Sequence, residues 1–376
     1  MKSSARLVAL LLAFAPSAAA GWLPVSDVEV VREESELGGS RLRINYLLEA
    51  EGITTEEPAW VFMRMSRDGG ATWSRLLRGD LRGHGHGIVE RAGRKTSQLW
   101  GLEALGLSGP ETPLVTVRAL RMARVPGGEF HARAIPGAGY DDSRLGTVVS
   151  HVDSFSIATH EATLSMYADY LSEVGAAGAG WHDRMSDAQR GGLLREGEPG
   201  AHTYRVRAGR EDHPVVFVSW YDARAFLEWC GLRLPTEAQW EKAVRGGTWL
   251  DGDGEKTRRN PLPDRRYPWG DEAPDAEGVF RCNLDGPADG FAHTAPACRF
   301  ARFSSPYRVC DLAGNVAEWT REQYTTSYHA GLDGFRILRG GSWMSLPEGC
   351  DAVTVATRLP VKRSAAVGFR GVYEGE

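Results

Sequence analysis

Two long stretches, residues 175–212 and 246–306, are rich in Gly, Pro and charge. Loops of that length inside a compact domain need some source of order other than helix and strand, and bound metal is one such source. They therefore predict a domain with little regular secondary structure. Three helices punctuate it. Thr163 is placed to cap a helix carrying Tyr167, Tyr170, Leu171 and Val174 on one face and stopping at Gly175. Ser219 caps a second, with Trp220, Ala223, Phe226 and Leu227 inward. Thr236 and Gln239 form a capping box for a third, with Trp240, Ala243 and Val244 inward and Gly246-Gly247 ending it.

The N-terminus reads as an export signal over residues 1–20: Lys2 and Arg6, an apolar run from Leu7 to Phe14, then Ala18-Ala19-Ala20 for cleavage. That run is too short to span a bilayer, so a secreted or periplasmic protein with no membrane span is expected. A net charge of −5 without a basic stripe argues against nucleic acid as partner. Five cysteines, all between Cys230 and Cys350, leave at least one unpaired within a monomer.

Residues 21–121 are expected to form a small all-β domain, an immunoglobulin- or fibronectin-like sandwich. Val61-Phe62-Met63-Arg64-Met65 and Val115-Thr116-Val117-Arg118-Ala119 both alternate. Between them, Ser66-Arg67-Asp68-Gly69-Gly70-Ala71-Thr72-Trp73 is similar to the Asp-box of sialidase propellers. A single copy cannot build a propeller, and a hairpin turn closed by an Asp side chain is the plainer reading. His84 and His86 sit in a glycine-rich loop with no evident third ligand, a poor metal site.

Three motifs, Arg233-Leu234-Pro235-Thr236-Glu237-Ala238-Gln239-Trp240-Glu241, Leu312-Ala313-Gly314-Asn315-Val316-Ala317-Glu318-Trp319 and Arg339-Gly340-Gly341-Ser342-Trp343-Met344-Ser345 closed by Cys350, occur in this order. With Val125-Pro126-Gly127-Gly128-Glu129-Phe130 before them and Gly368-Phe369-Arg370 after, the chain resembles the formylglycine-generating enzyme (sulfatase-modifying factor) family. The resemblance implies an α+β, C-type lectin-like domain over residues 122–376.

It also implies two calcium sites. Asn283 and Asp289 would give side-chain oxygens to the first, with carbonyls from Leu284 and Phe291. Asp311 and Glu318 would do so for the second, with carbonyls from Gly314 and Val316. Mixed carboxylate, amide and carbonyl oxygens suit calcium, although neither loop has EF-hand spacing.

The family's paired cysteines bind copper(I), and oxygen then converts a sulfatase cysteine to formylglycine. Here Ser345 holds the first position and Cys350 the second. A hydroxyl is a hard, weak ligand for copper(I), so copper binding and the standard oxidase chemistry are not expected. Ala317 and Gly349 are further departures. Two disulfides found in some members have given way to Leu227 with Gly371 and Val244 with Val355. A Cys282–Cys298 bridge is one possible pairing, though spacing does not decide connectivity.

Arg339, Ser342, Trp343 and Arg370 resemble the pocket framework. Each Arg suits either a bound carboxylate or a buried ion pair. Three functions stay open: a non-catalytic module binding a protein, peptide or glycan; a divergent oxidoreductase like the pyoverdine-maturation proteins; and a formylglycine-generating oxidase. The related ergothioneine branch needs a His-x-x-x-His-x-Glu motif that this chain lacks.

Overall fold

Within the first 122 residues the period-two pattern becomes antiparallel sheet. The computed structural model describes residues 9–10, 21–34, 40–77, 79–107, 111–133, 147–175, 178–324 and 334–375. Most of the expected export signal lies outside them. The chain divides into Met1–Met122 and Ala123–Glu376. In the first unit, Ser40–Leu48 pairs with Val25–Glu34 on one side and Gly93–Leu99 on the other. Ala59–Ser66 pairs with Leu114–Val125, from Ala59 opposite Arg121 to Ser66 opposite Leu114.

Leu42, Ile44, Tyr46 and Leu48 from one sheet and Val61, Met63 and Met65 from the other share a core. The alternation read at Val61–Met65 predicts one exposed face, yet all of Ala59–Ser66 is buried. Arg64 tolerates this by donating to the Trp73 carbonyl at 2.8 Å. Asp68 closes the turn, accepting from Ser66 Oγ and from both the backbone and the hydroxyl of Thr72. His86 meets Ser97 at 3.1 Å.

In the second unit the three helices start at their caps. Thr163 accepts from Met166 N before α1 (Leu164–Val174). Capping boxes Ser219/Asp222 and Thr236/Gln239 open α2 (Trp220–Cys230) and α3 (Glu237–Arg245). Tyr167 and Tyr170 of α1 meet Phe226 and Trp229 of α2, and Phe226 packs on Phe369 at 5.3 Å. Trp240, Ala243 and Val244 of α3 are fully buried among Val125, Ile157, Val309 and Leu312. Burying each large apolar side chain contributes roughly 1.5–3 kcal/mol. A four-stranded sheet follows the order Ala356–Arg358, Arg336–Arg339, Ala317–Gln323, Val367–Gly368, its last pairing parallel. Together these make an α+β unit dominated by turns.

The long stretches are ordered largely by side chains capping backbone carbonyls. Arg281 donates to the carbonyls of Ala273, Ala276 and Val279. Arg265 reaches Leu262 O and Pro268 O, while Asn260 reaches Arg245 O and Gly247 O. Guanidinium forks suit this task because each presents five donors in one plane. The 175–212 stretch adds a hairpin pairing Leu193–Glu196 with Thr203–Val206.

A disulfide joins Cys298 to Cys310, with Cα atoms 5.2 Å apart. This corrects the Cys282–Cys298 pairing: Cys282 is a buried free thiol elsewhere. Leu227 packs directly on Gly371.

Candidate functional site

Strand Ala317–Gln323 carries Glu318 into full burial beside α3, where Trp240 Nε1 donates to its Oε2 at 3.1 Å. Arg370 completes the arrangement. Its Nη2 and Nε donate to the two Glu318 oxygens at 2.6 and 2.7 Å, and further donors reach Ala158 O and Cys310 O. Both side chains are inaccessible to solvent. Asp311 and Glu161 face the same pair. Three carboxylates thus share one guanidinium. Burial, then repulsion from Asp311, raises the Glu161 carboxyl well above its ordinary range. Burial likewise lifts Asp311 to about 6. One Glu161 oxygen, Oε2, has no hydrogen-bond partner.

Asn315 joins these acids to the neighbouring loops. It adopts φ of 58°, a left-handed conformation that Asn tolerates better than most residues. Its Nδ2 donates to Glu161 Oε1 at 3.0 Å, while its Oδ1 accepts from Asn283 Nδ2 and Ala295 N. Its backbone accepts from Trp343 N and donates to Asn283 O. Gly314 beside it must be glycine, because a Cβ there would stand 2.3 Å from Asn283 O. Val316 next along is fully buried.

In the 283–291 loop, Asp289 accepts from Leu284 N at 2.7 Å and Phe291 N at 2.9 Å, closing the turn on itself. Burial raises its carboxyl. Asn283 is fully buried, and its Oδ1 has no hydrogen-bond partner. An orphaned buried oxygen is costly unless something electropositive meets it.

Arg339 is buried beneath the Gly-Gly-Ser-Trp segment. It pairs with Glu237 at 3.0 Å and lies 3.7 Å from Glu241, its guanidinium over Trp240. Trp343 donates to Ala365 O and packs on His293 with ring centroids 4.9 Å apart. Ser345 is half-buried, and its Oγ accepts from Ser342 N at 3.0 Å within its own turn. Its carbonyl accepts from Asp285 N. Cys350 is fully buried, and its thiol neighbour is Cys282. The hydrogen bond to Cys350, then burial, raises the Cys282 thiol well above the ordinary range.

Glu161, Asn315, His293 and Cys282 are the site residues that motif reading did not single out. All but His293 lie in quoted or neighbouring segments, but their roles depend on side chains distant in the chain, 154 positions for Glu161 and Asn315. An acid following His160, next to a capped helix, is the only local signal for Glu161.

A mostly irregular α+β domain, with a buried Glu318–Arg370 pair and acid- and amide-bearing loops beside it, defines the class. Residues 111–374 match the sulfatase-modifying factor enzyme 1-like domain, and the chain belongs to that family.

The chain is 31% identical over 310 residues to the formylglycine-generating enzyme of Streptomyces coelicolor, covering 69% of this chain and 91% of that protein. It is 37% identical over 168 residues to the inactive Cα-formylglycine-generating enzyme 2 of Bos taurus, where the match spans 42% of this chain and 50% of the bovine protein. Among solved structures, PvdO from Pseudomonas aeruginosa covers 67% of this chain and 93% of its own at 20% identity and a TM-score of 0.44. Among the described residues no helix is long and apolar enough to cross a membrane.

Proposed function

We propose that this chain is an exported, calcium-stabilised binding or accessory member of its family that lacks the standard copper-dependent oxidase chemistry. The observation that carries this reading is the state of the two pocket positions. Ser345 offers a hydroxyl already engaged with Ser342 N, and Cys350 is fully buried. A hydroxyl that stays protonated near neutral pH and a thiol closed off from solvent do not fit copper(I), which prefers accessible thiolates. No step through copper is therefore derived. The bovine relative is named inactive, which agrees with this reading. The Streptomyces relative is named a formylglycine-generating enzyme, which favours the oxidase as the second reading.

Calcium fits the first loop. The orphaned, buried Asn283 Oδ1 is an oxygen in need of a cation, with Asp289 and the Leu284 and Phe291 carbonyls in the same loop. At the second set, Glu318 already pairs with Arg370 through both oxygens, so a cation near Asp311, Gly314 and Val316 would share that carboxylate. The excess of three buried acids over one Arg favours positive charge there. In each place calcium would supply charge and pin a loop.

The reading also takes residues 21–121 as a β-sandwich, since its two sheets bury one common core. The Cys298–Cys310 disulfide suits an oxidising, exported setting. The ligand would be a protein, peptide or glycan.

The decisive assay incubates the calcium-loaded protein with copper(I), oxygen and a Cys-x-Pro-x-Arg peptide, beside Ser345→Cys. No formylglycine from the unmutated chain is expected; its formation there overturns the proposal. Activity in the variant alone would show that the rest of the pocket persists, and inactivity of both favours the binding role.

A further inference from the structure

We propose that Cys282 and Cys350 are a closable dithiol, which thiol–disulfide exchange converts into a second disulfide tying the 282–291 loop to the 339–350 segment. The two thiols come from separate parts of the chain, yet they are neighbours in one buried cluster and interact side chain to side chain. Both are reduced here and 1% and 0% exposed. They share one small apolar cluster with Leu284 and Ala313, against which Trp269 and Phe280 pack.

The backbones that carry them are joined directly and through a shared turn. Asp285 N donates to Ser345 O at 3.1 Å, while the 314–315 turn bridges the two segments, Asn315 N donating to Asn283 O at 3.0 Å and Gly314 N to Gly340 O at 2.8 Å. Glycines make the approach possible. A Cβ on Gly314 would stand 3.2 Å from Cys282 Cβ, and one on Gly341 2.7 Å from Cys350 Sγ. The immediate side-chain cluster is apolar, the Cys350 thiol also meets the Leu346 carbonyl at 3.8 Å, and the Cys298–Cys310 pair is already formed.

The reaction balances with a small-molecule disulfide such as oxidised glutathione. One protein thiolate attacks a sulfur of that disulfide and releases one glutathione thiolate. The second protein thiolate then attacks the mixed disulfide, forming the Cys282–Cys350 bond and releasing the other glutathione. The protein loses two electrons and two protons, which the two reduced glutathione molecules retain. Cys282 borders a narrow depression with Trp269, Arg281 and Phe303, so the reagent reaches it only when the loop opens locally. Closure is accordingly slow, and the closed bond is shielded from reduction. This inference does not depend on whether the family chemistry survives at Ser345.

The test equilibrates the full chain with oxidised glutathione, quenches in acid, unfolds, alkylates and maps the peptides. Expected are a cross-linked Cys282–Cys350 peptide, alkylation retained at Cys230, and a melting temperature raised by about 5 °C and restored by dithiothreitol. Cys282→Ser should abolish both cross-link and shift. Cys282→Ala, which keeps an apolar side chain in the cluster, serves the same purpose if the serine variant does not fold. The proposal is overturned if Cys282 and Cys350 of the unmutated chain both remain alkylated at equilibrium, carry only glutathione, or pair with other cysteines.

Discussion

Arg370 and Glu318 form a two-point ion pair in complete burial, with Nη2–Oε1 at 2.6 Å and Nε–Oε2 at 2.7 Å. Removing the cation would strand Glu318 together with Glu161 and Asp311. Breaking a buried pair from one side costs about 3–5 kcal/mol, because the remaining charge is uncompensated. Arg370→Leu is therefore expected to lose that much in urea unfolding. A loss below about 1 kcal/mol, typical of exposed pairs, would mean that solvent or a bound cation already neutralises the acids.

Calcium binding makes a separable prediction. A chelator should lower the melting temperature of the unmutated chain by about 5 °C, since a ligand at a hundredfold excess over its Kd adds about 2.7 kcal/mol. Asn283→Ala removes the orphaned oxygen, so its chelator-induced shift should fall by at least about half. Equal shifts in both proteins would exclude Asn283 as a ligand.

His213 should impose an acid limb on stability. Burial, reinforced by Arg210, lowers it to about 4, with Thr294 Oγ1 at 3.1 Å from its Nδ1. Below the unfolded value of 6.5, the unfolded chain binds a proton that the folded chain does not, so stability falls with pH until both bind it. From about pH 7 to about pH 5 the loss should approach about 2 kcal/mol. His213→Asn should flatten that part of the profile, measured by denaturant midpoints at each pH; an unchanged slope would assign it to other groups.

Leu227 and Gly371 predict overpacking. A Cβ on Gly371 would lie 2.6 Å from Leu227 Cδ2 and 2.9 Å from Leu232 Cδ1. Gly371→Ala should cost about 1–3 kcal/mol, and adding Leu227→Val should recover part of it. A double variant no better than the single one would shift the clash to Leu232.

The helix caps and the Asp68 turn were legible because each is settled within a few residues: Thr163, Ser219 and Thr236 meet backbone donors three positions on. The order of the long stretches was not. Composition does not reveal that Arg265 and Arg281 cap several of their carbonyls, a role that depends on how the chain curls around each guanidinium. The strand Ala59–Ser66 shows the same limit, since alternation cannot reveal that both faces are covered.

Local residue order was enough to specify where helices and turns begin and the family, because those signals lie within short segments. Folding alone could choose Cys310 for Cys298, set Cys282 beside Cys350, and bring Glu161 to Asn315. These partners are far apart in the chain or one among several possible pairings, and only three-dimensional packing gives them a common distance and a shared low-dielectric surrounding.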